Sequence, residues 1–193
     1  MRRILLALTA CAGLVGASGA QASPTPPSVT RPNNTTTYTA NTGWSSATSA
    51  CTSAACYFTF TNACAFPGEQ VAVPEVDVWD SANQATALGG VLWLFNTLPA
   101  TIINDDATFN IAAADFANLT AGSFNGIPFT LASAQASGAA NAGISLNGST
   151  LGSPLVATCD ASKAIYGMVQ VVNAYVPLAN EKLTIQIKTL PFF

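Results

Sequence analysis

Residues 183–189 read LTIQIKT, and this stretch decides the fold class. Its apolar residues Leu183, Ile185 and Ile187 alternate with polar ones, as in a strand with one face in a core and the other in water. Residues 91–95, VLWLF, are apolar throughout, which predicts a strand that is buried on both faces. Both patterns are typical of a protein built from packed layers of strands.

The rest of the chain continues this pattern. Further strand-like segments lie at 57–61, 71–73, 76–79, 144–146 and 165–175. Pro74 predicts an edge or a bulge, because proline has no N–H for the ladder. Turn residues at 177–181 predict a C-terminal hairpin between the last two strands, and only 111–119 has a helical pattern. We therefore predict an all-β single domain, a β-sandwich or jelly roll with one short helix.

The composition excludes several classes of function. The chain is 50% hydrophobic and 8% charged, has a formal charge of −3 and contains no histidine. Six basic residues against nine acidic ones cannot form the basic surface that nucleic-acid binding requires. Without histidine there is no Ser-His-Asp triad and no histidine metal site. The sequence thus predicts a protein that is not an enzyme, holds no cofactor or metal and does not bind nucleic acid.

The N-terminus has the form of an export signal. Residues 1–22 carry a positive start, an apolar stretch and small residues, with predicted cleavage after Ala22. An alternative is a lipoprotein box at 8–11, LTAC, which would place a lipid anchor on Cys11. Glycine and serine interrupt the apolar run too early for a membrane span. We therefore expect an exported protein, periplasmic or extracellular.

Export leaves an even number of cysteines, which predicts two disulfides. These are Cys51, Cys56, Cys64 and Cys159. A strand over 57–61 would hold Cys56 and Cys64 roughly 25 Å apart at about 3.3 Å per residue. A disulfide needs Cα atoms within about 7 Å, so the favoured pairs are Cys51–Cys56 and Cys64–Cys159.

The segment after the export signal is rich in proline, threonine and asparagine. Residues 23–34 are predicted to form a flexible leader, because this composition buries little apolar area. The predicted β-sandwich domain then covers 35–193.

The densest carboxylate groups are Asp105 and Asp106 beside Asn104, and Asp77 with Asp80. Such residues usually form turns and helix starts through hydrogen bonds to the backbone, which is the favoured interpretation. Two alternatives are a calcium loop, since Ca²⁺ takes oxygen ligands, and a glycosidase pair flanking a cleft.

Aromatic residues supply the candidate contacts with a partner. Trp93 lies in an apolar run, which favours a core position, and Trp79 ends a strand and is predicted to be half exposed. The residues predicted to contact a partner are Trp44, Phe192 and Phe193. Trp44 lies in a Gly/Ser-rich segment, and the two phenylalanines end the apolar tail 190–193.

Several segments together resemble a loosely defined family of small all-β proteins encoded among the virion structural genes of tailed phages. They are LWLFNTLP at 92–99, NDDATF at 104–109, AD at 114–115, IYGMV at 165–169, Tyr175 and LTI at 183–185. The likeness covers roughly 76–190 and implies a virion-associated structural domain without catalytic residues. This chain departs from the family by its export signal and four cysteines.

The sequence therefore predicts an exported, non-catalytic structural or interaction module that associates with itself or with a protein partner. The alternatives are an adhesin or pilin-like subunit and a carbohydrate-binding or glycan-cleaving domain. A subunit that acts by strand addition would show an open groove beside 183–189. A glycan-cleaving domain would show a carboxylate pair in a cleft.

Overall fold

The structure, a computed structural model, describes residues 21–22, 26–46, 56–82, 87–120, 126–131, 143–147 and 155–192. In chain order the elements are β1 (Gln21–Ala22), β2 (Ser28–Thr30), β3 (Thr42–Trp44), β4 (Phe58–Phe60), β5 (Gln70–Asp80), β6 (Gly89–Phe95), α1 (Ala113–Phe116), β7 (Ile127–Thr130), β8 (Gly143–Asn147), β9 (Leu155–Thr158), β10 (Ile165–Val171) and β11 (Lys182–Pro191). The chain is all-β with one short helix, as predicted.

The strands form two antiparallel sheets. The first has the order β1-β11-β5-β8, with β2 also on β11 and β9 also on β5. The second has the order β3-β10-β6-β7, with β4 also on β10. One apolar cluster takes side chains from both sheets, such as Val78 and Ile185 from the first and Leu92 and Val169 from the second. The arrangement is a β-sandwich with its core between the sheets.

The alternation in β11 works as predicted. Leu183, Ile185 and Ile187 are fully buried, whereas Gln186 and Lys188 are partly exposed. Because the side chains of a strand alternate between faces, the apolar set points into the sandwich and the polar set forms its outer surface.

Strand β6 is apolar throughout because its inner face is buried and its outer face is partly covered. Its inner face joins the main core. On its outer face, Phe95 joins Tyr166, Met168, Ile103 and Leu119 in a second apolar cluster. The connection between β6 and β7 thus forms an additional layer over the second sheet.

The predicted irregularity at Pro74 is a change of pairing partner combined with a bulge. Strand β5 pairs with β9 before Pro74 and with β8 after it. Along β11, Lys188 lies opposite Glu75 but Leu190 lies opposite Ala72, so β5 carries one extra residue there. Proline fits this position because it lacks the N–H that a regular ladder would use.

The predicted C-terminal hairpin is wrong. Strand β10 belongs to the second sheet and β11 to the first, so residues 172–181 cross between the sheets. Both edges of β10 are already taken, by β6 on one side and by β3 and β4 on the other. The crossing is fixed by the buried Glu181 carboxylate, which accepts hydrogen bonds from the Tyr175 hydroxyl at 2.5 Å and the Leu178 N–H at 2.8 Å.

Residues 26–34 are the described part of the predicted flexible leader, and they are bound to the sandwich instead. Strand β2 pairs with Lys182–Thr184 of β11, and the Arg31 N–H donates to the Glu181 carbonyl at 3.0 Å. Val29 and Arg31 are both buried. The Pro- and Asn-rich composition of this segment does not indicate these two contacts, because their partners lie about 150 positions away in the chain.

The disulfide Cys64–Cys159 is present, with 6.2 Å between its Cα atoms, and confirms that predicted pair. It links the entry to β5 with the exit from β9, which are paired strands. Cys56 is also disulfide-bonded, and Cys51 lies outside the described residues. Among the residues that the structure describes, no helix has the length and hydrophobicity that a transmembrane helix needs.

We expect the double variant Cys64→Ser, Cys159→Ser to lose about 2–5 kcal/mol of unfolding free energy, because the link closes a loop of 95 residues. Urea unfolding of the oxidised proteins measures this difference. Peptide mapping of the wild type without reductant is the control and should recover the linked pair. An unchanged midpoint in the double variant would contradict the expectation.

Candidate binding surfaces

Asp105, a candidate Ca²⁺ ligand in the sequence, lies in a buried cluster of charged and polar side chains. The Arg31 guanidinium lies 3.1 Å from the Asp105 carboxylate, and both side chains are at most 1% exposed. The Tyr38 hydroxyl donates to the same carboxylate, and the Ser45 N–H lies 3.3 Å from it. Asp105 is therefore neutralised by an internal cation, which removes the charge that a Ca²⁺ site would use.

The buried surroundings raise the pKa values of two groups in this cluster, Asp105 and Tyr38. Burial raises the pKa of the Asp105 carboxyl, while the Tyr38 hydrogen bond and the Arg31 charge oppose that shift. Burial and the adjacent Asp105 raise the pKa of the Tyr38 hydroxyl. The cluster therefore has a structural role, because the Arg31 guanidinium and the Asp105 carboxylate each find their charged partner inside the protein.

The second carboxylate pair is not a pair in space. Asp77 and Asp80 are three residues apart on one strand, so they point to opposite faces of the sheet. Asp77 lies on the outer face and accepts from the Ser145 hydroxyl, whereas Asp80 is buried and caps the Ala82 N–H at 2.9 Å. Within the described ranges no three metal-ligating side chains cluster together.

The structure corrects the predicted exposure of Trp44. Its side chain is 3% exposed, stacks on Tyr38 with 5.6 Å between ring centroids, and donates to the Val29 carbonyl at 3.2 Å. On the opposite face of β3, Gly43 lets residues 103–104 lie close to the strand, because a Cβ there would lie 2.3 Å from Ile103 Cγ2.

Exposed apolar residues lie where the C-terminal strand ends. Phe192 is 52% exposed, Phe66 is 69% exposed and Leu190 is also exposed. The Phe192 N–H donates to the Gln70 carbonyl, and the Glu69 N–H donates to the Phe66 carbonyl, so both phenylalanines flank the start of β5. We call Phe66, Leu190 and Phe192 the C-terminal apolar end. Phe193 lies outside the described residues.

A second surface, which the sequence analysis missed, surrounds Trp93. An open groove of about 210 Å³ is lined by Trp93, Phe109, Asn110, Ile111, Phe116 and Gln170. Trp93 was predicted as a core residue, but its ring is only partly buried. Its position within the unbroken apolar run 91–95 gave no signal of this exposure. Trp79 is partly exposed, in agreement with its prediction.

The outer edge of β11 is partly covered by the protein's own chain. Strand β2 pairs with Lys182–Thr184, and the Ile185 N–H donates to the Pro27 carbonyl at 3.1 Å. Strand β1 pairs with Lys188 and Thr189, but β1 consists of the last two residues of the predicted export signal. Without residues 1–22, the described chain fills the groove that strand addition would use only beside 182–185.

Comparisons with protein-family models, with curated proteins and with solved structures gave no match. The likeness to phage virion domains therefore stays a prediction, and the surfaces described above carry the functional argument.

Replacing Arg31 by Met should cost about 3–5 kcal/mol of unfolding free energy, because Asp105 would keep a buried charge without its partner. Lys188→Met is the matched control, since its ion pair with Glu75 spans 2.5 Å but is 39% and 29% exposed. Screening by water makes the effect of this control much smaller. Equal losses in urea unfolding would contradict a structural role for the buried pair.

The buried tyrosines should make the protein sensitive to alkali. Burial raises the pKa of Tyr38 and Tyr175 above the ordinary value. Above about pH 10 the unfolded chain releases these protons and the folded chain keeps them, so stability falls as pH rises.

The expected slope is about 1.4 kcal/mol per pH unit for each such tyrosine. Unfolding free energies measured across this pH range should fall less steeply for Tyr175→Phe than for the wild type. Tyrosinate absorbance that rises near pH 10 without unfolding would refute the shift.

Proposed function

We propose that the protein is an exported, non-catalytic structural or interaction module, similar to virion-associated β-domains of phages, that pairs with a second copy of itself. The observation that carries the proposal is the C-terminal apolar end, where Phe66, Leu190 and Phe192 are each exposed near the start of β5 and the end of β11. Burying such an apolar surface against a partner removes it from water and lowers the free energy of the complex.

Hydrogen bonds within the loop stabilise the conformation that presents Phe66. The Glu69 carboxylate accepts the Ala65 N–H at 2.6 Å and the Phe66 N–H at 3.1 Å. The disulfide at Cys64 fixes the residue just before this loop. The loop is therefore ordered before two copies associate, and this lowers the entropy cost of their association.

Export is supported by the Cys64–Cys159 disulfide, since such bonds persist in oxidising compartments. In this proposal residues 1–22 are the export signal, and the protein acts in the periplasm or outside the cell. The low charge of the chain favours association through packing over electrostatic steering.

A non-catalytic role is supported by the engagement of the acidic side chains. Asp105 pairs with Arg31, Asp80 caps a turn, and Glu75 pairs with Lys188, whose ammonium lowers the pKa of the Glu75 carboxyl. A strand-adding subunit receives less support, because β2, which lies after the proposed export signal, already pairs with Lys182–Thr184 on the outer edge of β11.

The variant Phe192→Ser tests the proposal. Size-exclusion chromatography with light scattering should show that the wild type reaches twice the monomer mass as concentration rises and that the variant stays a monomer. Phe66→Ser should act in the same direction. The matched control is Val176→Ser, which removes an equally exposed apolar side chain elsewhere and should behave as the wild type.

Thermal unfolding of each monomer checks that the fold is intact. A wild type that is monomeric at every concentration, or variants that dimerise as it does, would overturn the proposal.

A further inference from the structure

The groove beside Trp93 is an aromatic surface with three walls. The Trp93 and Phe109 rings stack at an angle of 26° with 6.1 Å between centroids, and Phe116 lies 6.3 Å from Trp93 at 58°. Phe116 is 43% exposed. Three aromatic rings therefore surround one small, open space.

Two sets of contacts hold Trp93 in position, one with the second apolar cluster and one with the backbone at Gly126. Trp93, Phe109 and Ile111 pack against the second apolar cluster, which covers the outer face of the second sheet. At Gly126, whose φ is 67°, a Cβ would lie 2.0 Å from Val91 and 3.2 Å from the Trp93 ring. This close backbone holds the indole in a single orientation before any ligand arrives.

A chain of amides runs along the groove. The Trp93 indole N–H donates to Gln170 Oε1 at 3.1 Å, and Gln170 Nε2 donates to Asn41 Oδ1 at 3.0 Å. Asn110 is exposed at the rim. Each primary amide offers two donor hydrogens and two acceptor lone pairs, so these contacts leave capacity for a ligand.

The chemistry of the lining selects a class of ligand. None of the six side chains that line the groove carries a charge, so it lacks the groups that recognise phosphate or carboxylate. A neutral pyranose ring has an apolar C–H face that fits on aromatic rings and a rim of hydroxyls that fits amides. A hydrocarbon side chain of a peptide would cover these amides without bonding them, which costs free energy.

We propose that this groove binds one ring of a neutral glycan chain. Its volume of about 210 Å³ is smaller than the ~300–1,000 Å³ of pockets that enclose a drug-sized ligand. The open ends allow the rest of the glycan to continue into solvent. This site lies on the outer face of the second sheet, away from the C-terminal apolar end, and does not depend on self-association.

The test follows the indole N–H resonances of the ¹⁵N-labelled full chain during titration with cellotetraose and chitotetraose. Trp93→Phe assigns the Trp93 signal. We expect a neutral oligosaccharide to move that signal with a Kd on the order of 1 mM or tighter. The Trp44 signal is the internal control and should stay in place, since its N–H is bonded to the buried Val29 carbonyl. Tetragalacturonate, an anionic glycan, should have no effect.

Two variants probe the walls of the groove. Phe116→Ala and Gln170→Ala should each weaken binding by about tenfold, as expected for the loss of one ring contact or one hydrogen bond to the ligand. Phe66→Ala is the matched control, because it removes an exposed phenylalanine from the C-terminal apolar end. It should bind the oligosaccharide normally even where self-association is lost.

The proposal is overturned if no neutral oligosaccharide moves the Trp93 signal at concentrations on the order of 10 mM. It is also overturned if both wall variants bind as the wild type does, or if tetragalacturonate binds equally well. A failure of self-association in the light-scattering experiment would leave this site unaffected, so the two proposals fail independently.

Discussion

The buried ion pair between Arg31 and Asp105 is the constraint on which the rest of the structure depends. Removing two charges from water costs several kcal/mol for each ion, and such a pair persists only when hydrogen bonds complete it. Here the Tyr38 hydroxyl, the Ser45 N–H and the Asn34 carbonyl supply them. Segments far apart in the sequence must therefore meet at one point.

That meeting point positions the outer layer of the second sheet. Next to Asp105, the Asp106 N–H donates to the Gly43 carbonyl, and the Phe109 N–H donates to the Asn41 carbonyl at 2.7 Å. This ladder places Phe109 against Trp93 and Asn41 beside Gln170. The buried charge pair thus lies next to the backbone contacts that position two residues of the groove region, Phe109 and Asn41.

The local patterns and the Cys64–Cys159 disulfide were predictable from the sequence, and the other long-range contacts were not. The alternation in β11 and the irregularity at Pro74 depend on neighbouring residues, so the sequence indicates them directly. The burial of Trp44 depends on a ring contact with Tyr38 and a hydrogen bond to the Val29 carbonyl, neither of which has a periodic signature. The absence of a C-terminal hairpin follows from strands that already occupy both edges of β10. Among the candidate surfaces, the apolar tail was predicted from its composition, whereas the Trp93 groove needs three segments to come together.

We propose that two copies of this disulfide-linked sandwich meet at the C-terminal apolar end. Hydrogen–deuterium exchange of the full chain at low and high concentration tests this claim most directly. We predict slower exchange in the concentrated sample at residues 65–70 and 190–192, with the rest of the described strands unchanged. Exchange that is independent of concentration at both segments would contradict it.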